Sequence, residues 1–246
     1  MTAAVSASLA CADEVWCSTP DLARRIATLG CRHIQVLPNA LDPEMWQTDR
    51  PPLNVTRRHA SPMRMLYMGT RTHDQDFAFL HSVMERLHRE APGAFELFLI
   101  GVRSRDVVMP PWLHLLSPPG HVGASYPAFV HWFVQQHGLD LGLAPLMGNP
   151  FNDCKSPIKV FDYAAIGLPA LASDMPAYTH SLTSGIDCFH AVNEAQAWCT
   201  AIRELGGRPE ARERVRRAAR SLVDPAVFRC ATADRLARLI ALREQA

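Results

Sequence analysis

The stretch "KSPIKVFDYAAIGLPALAS", residues 155–173, contains both lysines of a 246-residue chain that otherwise draws its basic side chains from arginine. An Arg- and Ala-rich, Lys-poor composition is what a GC-rich coding sequence produces, so two neighbouring lysines can arise by chance. The surrounding residues have to decide. Ser156 followed by Pro157 has the form of an N-cap with proline in the first turn, and Gly167 that of a helix stop. "IKVFDYAAIG" between them reads as a helix and "LPALAS" as a short buried strand. A helix feeding directly into an apolar strand is the repeating unit of a parallel sheet.

The same alternation extends outward. "LDLGLAPL" reads as a strand, "YPAFVHWFVQQH" as a helix, and the proline-rich "MPPWLHLLSPPGHVG" holds a short strand. "FELFLIG" is a strand, and "DQDFAFLHSVMERLHRE" is a helix with Phe77, Leu80, Val83, Met84 and Leu87 on one face. "MRMLYMGT" gives a buried strand from Met63 to Met68. These elements predict an α/β fold: a Rossmann-like parallel sheet with helices on both faces. From Asn193 onward "EAQAWCTAIRELGG", "RPEARERVRRAARSLV" and "DPAVFRCATADRLARLIALREQA" read as terminal helices. Near the start, "EVWCS" is a strand, "TPDLARRIATLG" a helix capped by Thr19 and stopped at Gly30, and "HIQVLPNALD" a strand with a turn. Polar, proline-containing residues 47–62 have linker composition. The expected organisation is an N-terminal unit over 1–46, a linker over 47–62 and a domain over 63–246.

Net charge is +1, so nothing in the balance of charges calls for a nucleic-acid partner. The one basic cluster, Arg212, Arg214, Arg216, Arg217 and Arg220, lies on a helix beside Glu210 and Glu213 and reads as a solvated, paired face. Seven cysteines without a close CxxC pair fit a reduced environment. The opening residues lack a basic n-region and no apolar run reaches the length of a membrane span. A cytoplasmic location is expected, with any membrane contact peripheral at the inner face.

Ligands of open parallel sheets bind beyond the carboxyl ends of the strands. The densest polar chemistry there is the loop "MGNPFNDCKSP", residues 147–157, entering the helix that begins near Ile158. A helix N-terminus beside Lys155 suits a diphosphate. Asp162, on the turn after Lys159, is placed to accept hydrogen bonds from vicinal hydroxyls such as those of a ribose. The combination reads as a nucleotide-diphosphate site. A lysine and an aspartate on one amphipathic helix are also the pattern of a solvated or mutually paired couple.

At these residues "KSPIKVFDYAAIGLPALASDMPAY" resembles the donor motif of the GT-B fold glycosyltransferases, of the group 1 or family 4 kind that build bacterial surface polysaccharides. "MLYMGTRTHDQDF" resembles the GT-x-TH-x-x-D signature that opens the family's C-terminal domain. "ADEVWCSTPDLARRI" and "VLPNALD" resemble the last strand, helix and hinge of its N-terminal domain. The resemblance implies the donor-binding half of a nucleotide-sugar-dependent glycosyltransferase, acting with retention, with no cofactor and no metal. Carried over by position, Asp162 would hold the ribose, and Lys155 and Ser156 would meet the diphosphate and sugar. Lys155 and Asp162 are the candidate catalytic residues. Gly69, Thr70, Arg71 and His73 fall on the loop facing the phosphates, and His121 and Val122 where the base sits.

Two departures carry weight. The family's first donor carboxylate falls at Cys154, which leaves Asn152 and Asp153 to meet the sugar. The family also has two domains of similar size, whereas this chain begins near the end of the first. The implied partners are therefore a nucleotide-sugar donor, a glycan or lipid-linked acceptor, and a separate N-terminal half or a second copy. A non-catalytic sugar-nucleotide-binding or regulatory module is the alternative. A dinucleotide oxidoreductase is disfavoured because no G-x-G-x-x-G follows "MLYMG", and a sugar-nucleotide epimerase because no acid/base pair is evident.

Overall fold

A computed structural model describes residues 3–52, 54–56, 62–69, 74–101, 109–120 and 122–245. Helix α1 (Ala3–Cys11) precedes strand β1 (Val15–Cys17), helix α2 (Pro20–Ala27), strand β2 (Ile34–Val36) and the short helix α3 (Pro43–Trp46). Thr19 caps α2 as expected, its hydroxyl accepting from the Leu22 N–H at 3.1 Å with Pro20 in the first turn. β1 and β2 pair in parallel as a two-stranded sheet. Neither α1 nor α3 was anticipated from the sequence pattern, α1 because its run of small residues has no helical periodicity.

The larger layer begins with β3 (Met63–Met68), α4 (Asp74–Glu90), β4 (Phe95–Ile100) and β5 (Leu113–Leu115). It continues through α5 (Tyr126–Phe133), β6 (Leu141–Ala144), α6 (Ile158–Ala165), β7 (Ala170–Ser173), α7 (Pro176–Thr179) and β8 (Phe189–Ala191). Helices α8 (Ala195–Gly207), α9 (Pro209–Ala218) and α10 (Pro225–Gln245) close the chain. The six strands lie in the order β5-β4-β3-β6-β7-β8, all pairs parallel. The α/β expectation therefore holds, with β8 added to the strands expected from sequence.

Alternation along β3 explains the two cores. Met63, Met65 and Tyr67 point to the face covered by α4 and α8, with Leu80, Val83, Trp198 and Ile202. Leu66 points to the other, covered by α5 and α6, with Val130, Phe133, Val160 and Tyr163. β3 is also where the winding reverses: β4 and β5 extend the sheet on one side, β6 to β8 on the other. Chain leaving β3 and β6 therefore diverges, which opens a crevice at their carboxyl ends.

The described part of the linker is fastened rather than loose. Asn54 is buried and donates to the carbonyls of Gln136 (3.0 Å) and Ile166 (2.9 Å) while accepting from the Leu139 N–H (3.1 Å). Gly167 has φ +73, and a Cβ there would come within 2.5 Å of Pro52, so only glycine lets α6 stop against this segment.

The arginine cluster departs from the solvated face its composition suggested. Arg212 is 1 % exposed and its guanidinium donates to the carbonyls of Leu205 and Gly206 at the end of α8. Glu213 binds Arg216 (2.7 Å), Arg217 (2.5 Å) and Thr56 (2.8 Å). Arg220 reaches the carbonyls of Thr48, Arg50 and Ala165. Only Arg214 and Arg217 face solvent as expected. Burial wins because α9 has to be packed against both α8 and the linker, and arginine can satisfy several carbonyls that would otherwise be stranded.

Helix α10 returns across the N-terminal unit, where Arg238 pairs with Glu14 (2.8 Å) and Arg235 donates to the Pro38 carbonyl (2.7 Å). Its outer side leaves Leu236, Leu239 and Ile240 exposed, and Trp16 of β1 is 36 % exposed. No helix among the described residues is long and apolar enough to cross a membrane.

Candidate functional site

The crevice between β3 and β6 is built first from backbone clamps. At the exit of β6, Ser173 accepts from the Leu146 N–H (2.8 Å) and Asn193 donates to the Leu146 carbonyl (2.8 Å). One residue on, Asp76 accepts from the Met147 N–H (2.7 Å) and Asn152 donates to the Met147 carbonyl (2.7 Å). Four side chains from separate parts of the chain therefore fix the N–H and C=O groups of two consecutive residues. Asn149 turns the loop by accepting from the N–H groups of Phe151 (3.0 Å) and Asn152 (2.9 Å). Beyond it the loop is tied to the N-terminal unit: Thr19 donates to the Cys154 carbonyl (2.8 Å) and Asn39 to the Ser156 hydroxyl (2.9 Å).

Helix α6 is held by Tyr163. Its hydroxyl donates to the Leu143 carbonyl (2.9 Å) and accepts from the Met68 N–H (3.2 Å), bridging the ends of β6 and β3. Gly142 makes room, since a Cβ there would lie 2.5 Å from the Tyr163 ring. At the end of β3, Gly69 is buried, and Gly101, with φ +87, brings its Cα so close that a Cβ would stand 2.3 Å from the Gly69 carbonyl oxygen. These contacts set the distance between the β3 exit and α6.

Inside the crevice lies a polar group that the fold does not satisfy. Lys159 sits with its Nζ 4.9 Å from the centre of the Tyr67 ring. The Lys159 Nζ, the Asp162 Oδ1 and the Tyr67 hydroxyl are all buried with no hydrogen-bond partner among the described residues. Burial pushes the Lys159 ammonium down to about 8, opposed by the charge of Asp76 and aided by that of Lys155. Burial likewise pushes the Asp162 carboxyl up to about 7, with Lys159 pulling the other way. The Tyr67 phenol is raised by burial and by Asp76. Lys155 stands at the rim, its Nζ 5.1 Å from the ring of exposed Phe151, and burial lowers its pKa against the opposing charge of Asp76. Each unpartnered buried group costs about 1–3 kcal/mol, which a ligand supplying the missing bonds would relieve.

The structure brings Lys155 and Asp162 together with Lys159, Tyr67 and Asp76, and places Gly69 at the β3 exit beside them. It does not support Asn152 as a free sugar contact, because that side chain is 7 % exposed and its amide is spent on the Met147 carbonyl. Asp153 is half-buried on the loop, its N–H bonded to the Asn149 carbonyl (3.0 Å). Ser156 is not the N-cap: Pro157 occupies that position, no side chain caps α6, and the Ser156 hydroxyl accepts from Asn39 instead. Asn39, from the chain after β2, takes the Ser156 hydroxyl, and the helix begins one residue later than the Ser-Pro pair suggests. Val122 is 8 % exposed in a 3-10 turn. Thr70, Arg71, His73 and His121 lie outside the described residues. Cys154, with its thiol raised by burial and donating to the Pro150 carbonyl at 3.3 Å, supplies no acid.

Asp76, Lys159 and Tyr67 were not singled out as site residues from sequence. Asp76 is the aspartate that closes the GT-x-TH-x-x-D pattern, so its position was marked although its contact with Met147 was not. Tyr67 looked like any apolar strand residue. A cavity of about 1130 Å³ lies elsewhere, between Val55, Thr56 and α9, where Glu213 already has its arginine partners.

No protein-family model matches the chain, and no curated protein is significantly similar to it. Solved structures are similar in fold. Sucrose-phosphate synthase from Thermosynechococcus elongatus matches at TM-score 0.66 with 13% identity, over 97% of this chain and 61% of its own. HepE from Anabaena, in complex with UDP-glucose, matches at 0.64 with 12% identity, over 92% and 64%. WaaG, a glycosyltransferase involved in lipopolysaccharide biosynthesis, matches at 0.59 with 14% identity, over 89% and 61%. Over the part it spans, the chain therefore has the fold of the GT-B glycosyltransferases. It spans less than two thirds of the length of each of these structures.

Proposed function

We propose that this chain is the donor-binding half of a nucleotide-sugar-dependent glycosyltransferase. The observation that carries the reading is the buried Lys159 ammonium beside the Asp162 oxygen, neither with a hydrogen-bond partner among the described residues, in the crevice where the winding of the sheet reverses. A nucleoside diphosphate answers both needs at once. Its phosphates supply acceptors for Lys159 and Lys155 and for the uncapped N–H groups at the start of α6, and its ribose hydroxyls donate to Asp162. In transfer, negative charge builds on the departing diphosphate. The two lysines and the helix terminus are fixed in advance where that charge forms, so their effect grows toward the transition state. This arrangement does the electrostatic work without a metal ion. UDP-glucose bound to HepE supports the ligand class.

The finer reading follows the family resemblance: transfer with retention, in the assembly of a bacterial glycan, with the acceptor held by a separate N-terminal half. The exposed Trp16, Leu236, Leu239 and Ile240 around the two-stranded sheet favour such a partner. A non-catalytic nucleotide-sugar-binding module is the second reading, favoured by Cys154 at the place of the first donor carboxylate.

Calorimetric titration with UDP, GDP, ADP, dTDP and their glucose conjugates tests the ligand class. Binding of one of them by the wild-type chain, abolished in Lys155→Ala and Asp162→Ala, is expected. A folded wild-type chain that binds none would remove the donor reading. Sugar transfer once an N-terminal half is added would separate enzyme from binding module.

A further inference from the structure

Lys155 is placed by residues from outside its own loop. The Cys154 carbonyl accepts from the Thr19 hydroxyl at 2.8 Å, and the Ser156 hydroxyl accepts from the Asn39 side-chain amide at 2.9 Å. The Cys154 carbonyl and the Lys155 N–H form one peptide unit, and that N–H donates to the Asn152 carbonyl at 3.1 Å. The unit is therefore pinned at both ends, while Asn39 fixes the next side chain along. Thr19 and Asn39 lie 135 and 117 residues from these partners in sequence. Neither donor is itself loose. Thr19 is 8 % exposed, and the same hydroxyl caps α2 by accepting from the Leu22 N–H. Asn39 follows Pro38, whose carbonyl accepts from Arg235 of α10 at 2.7 Å. Asp21, in the first turn of α2, meets His180 beyond α7 at 2.8 Å, which seats the N-terminal unit against the larger layer at a further point.

The loop has its turn without these bonds. Asn149 and Asn152 make it from within, through the Phe151 and Asn152 N–H groups and the Met147 carbonyl. What Thr19 and Asn39 add is the position of the residue between their partners. That residue is the lysine whose ammonium stands at the rim of the crevice, 5.1 Å from the Phe151 ring. Resting on the donor reading above, we propose that Thr19 and Asn39 are positioning residues for the donor diphosphate, bracketing Lys155 so that its charge is in place before the ligand arrives. Neither touches the ligand. Both act through Lys155, whose backbone is ordered on folding and so loses less freedom on binding. A charge fixed in advance also needs no rearrangement as the diphosphate departs. The N-terminal unit is then part of the donor site.

The test is the affinity of the wild-type chain, Thr19→Val and Asn39→Ala for UDP, or for whichever of GDP, ADP and dTDP the wild-type chain binds, read beside the amide resonances of the two lysines. Lys155 and Lys159 are the only lysines of the chain, so selective isotope labelling of lysine gives one backbone signal from the bracketed residue and one internal control. Lys155→Arg tells the two apart. Each variant is expected to bind about five- to tenfold more weakly and to move the Lys155 signal while leaving that of Lys159 in place. Thr19→Ser, which keeps the hydroxyl, should return both readouts to wild type. Thermal unfolding establishes that each variant is folded, and because the two substitutions lie in separate segments, one that fails to fold leaves the other to decide. Wild-type affinity in a folded variant would overturn the proposal, as would weaker binding with an unmoved Lys155 signal. Displacement of both lysine signals alike, or loss of folding in both variants, would assign Thr19 and Asn39 to the stability of the fold alone and overturn it as well. If the wild-type chain binds none of the nucleoside diphosphates, the donor reading falls and takes this one with it; if binding depends on Lys155 but on neither Thr19 nor Asn39, only the bracketing fails.

Discussion

Two regions of this chain concentrate charge, and they treat it in opposite ways. On α9 and the turn after it, Arg212, Arg216 and Arg220 meet Glu213 or the carbonyls of three other segments. In the β3–β6 crevice, Lys159 and Asp162 are buried with atoms that no described residue satisfies. The first arrangement stabilises the fold, and the second stores an unfavourable state that a ligand can relieve. Density of charge in a sequence does not distinguish them. What distinguishes them is whether the surrounding structure completes the bonds.

Replacing Arg212 with Met is the strongest test of the first half of that contrast. It leaves the Leu205 and Gly206 carbonyls without their donor, so a loss of about 2–4 kcal/mol in unfolding free energy is expected. Denaturant titration measures it; a change under 1 kcal/mol, about the size of an ordinary surface effect, would mean that α9 does not depend on its buried arginine.

Lys159→Met tests the other half. Removing a buried charge that lacks a partner should leave stability unchanged or raised, while nucleoside diphosphate binding weakens by about a hundredfold. A destabilised Lys159→Met chain would show that the lysine is a structural group, and the contrast between the two regions would collapse.

Tyr163→Phe sharpens the contrast, because its hydroxyl serves both fold and site. The Leu143 carbonyl and Met68 N–H lose their shared partner, which should cost about 1–2 kcal/mol and a few-fold in binding. Calorimetry and thermal unfolding of the same sample separate the two effects.

These tests also mark what was readable from the residues alone. The helix 74–90 and the strands at 63–68, 95–100 and 141–144 follow from patterning, since burial imposes a period on the chain. β8 was missed because three residues with a histidine at their centre leave no period to detect. Lys155 and Asp162 were legible through the local motif. Asp76 with Met147 spans 71 residues, and Asn39 with Ser156 spans 117. Contacts of that kind exist only after the sheet has brought its strand ends together. The same holds for the error at Ser156, where Asn39 replaced the local capping bond that the Ser-Pro pair suggested.

The effect that sets the two regions against each other most directly is the pH dependence of stability. Glu213 is held down to about 2 by its bond to Arg216. A depressed carboxylate contributes stability that is present above its unfolded pKa and lost as pH falls toward 2, so α9 weakens in acid. Asp162 has the reverse sign. Its folded pKa of about 7 lies above the unfolded value, so the native state binds the extra proton between them and stability falls as pH rises to about 7. Lys159, lowered to about 8, is neutral in the folded state while still protonated in the unfolded one above that pH, so stability rises again toward the unfolded lysine value. The crevice therefore predicts a minimum in stability between about pH 7 and 8, on top of the acid loss from α9. Unfolding free energies across the pH range should show the minimum in the wild-type chain. Lys159→Met should remove its alkaline side and Asp162→Asn its acid side, while Glu213→Gln should leave the minimum in place and flatten only the fall below about pH 4. A minimum that survives both crevice substitutions would mean that the buried pair is not the source of the stored cost, and that its lack of partners has no energetic consequence for a ligand to exploit.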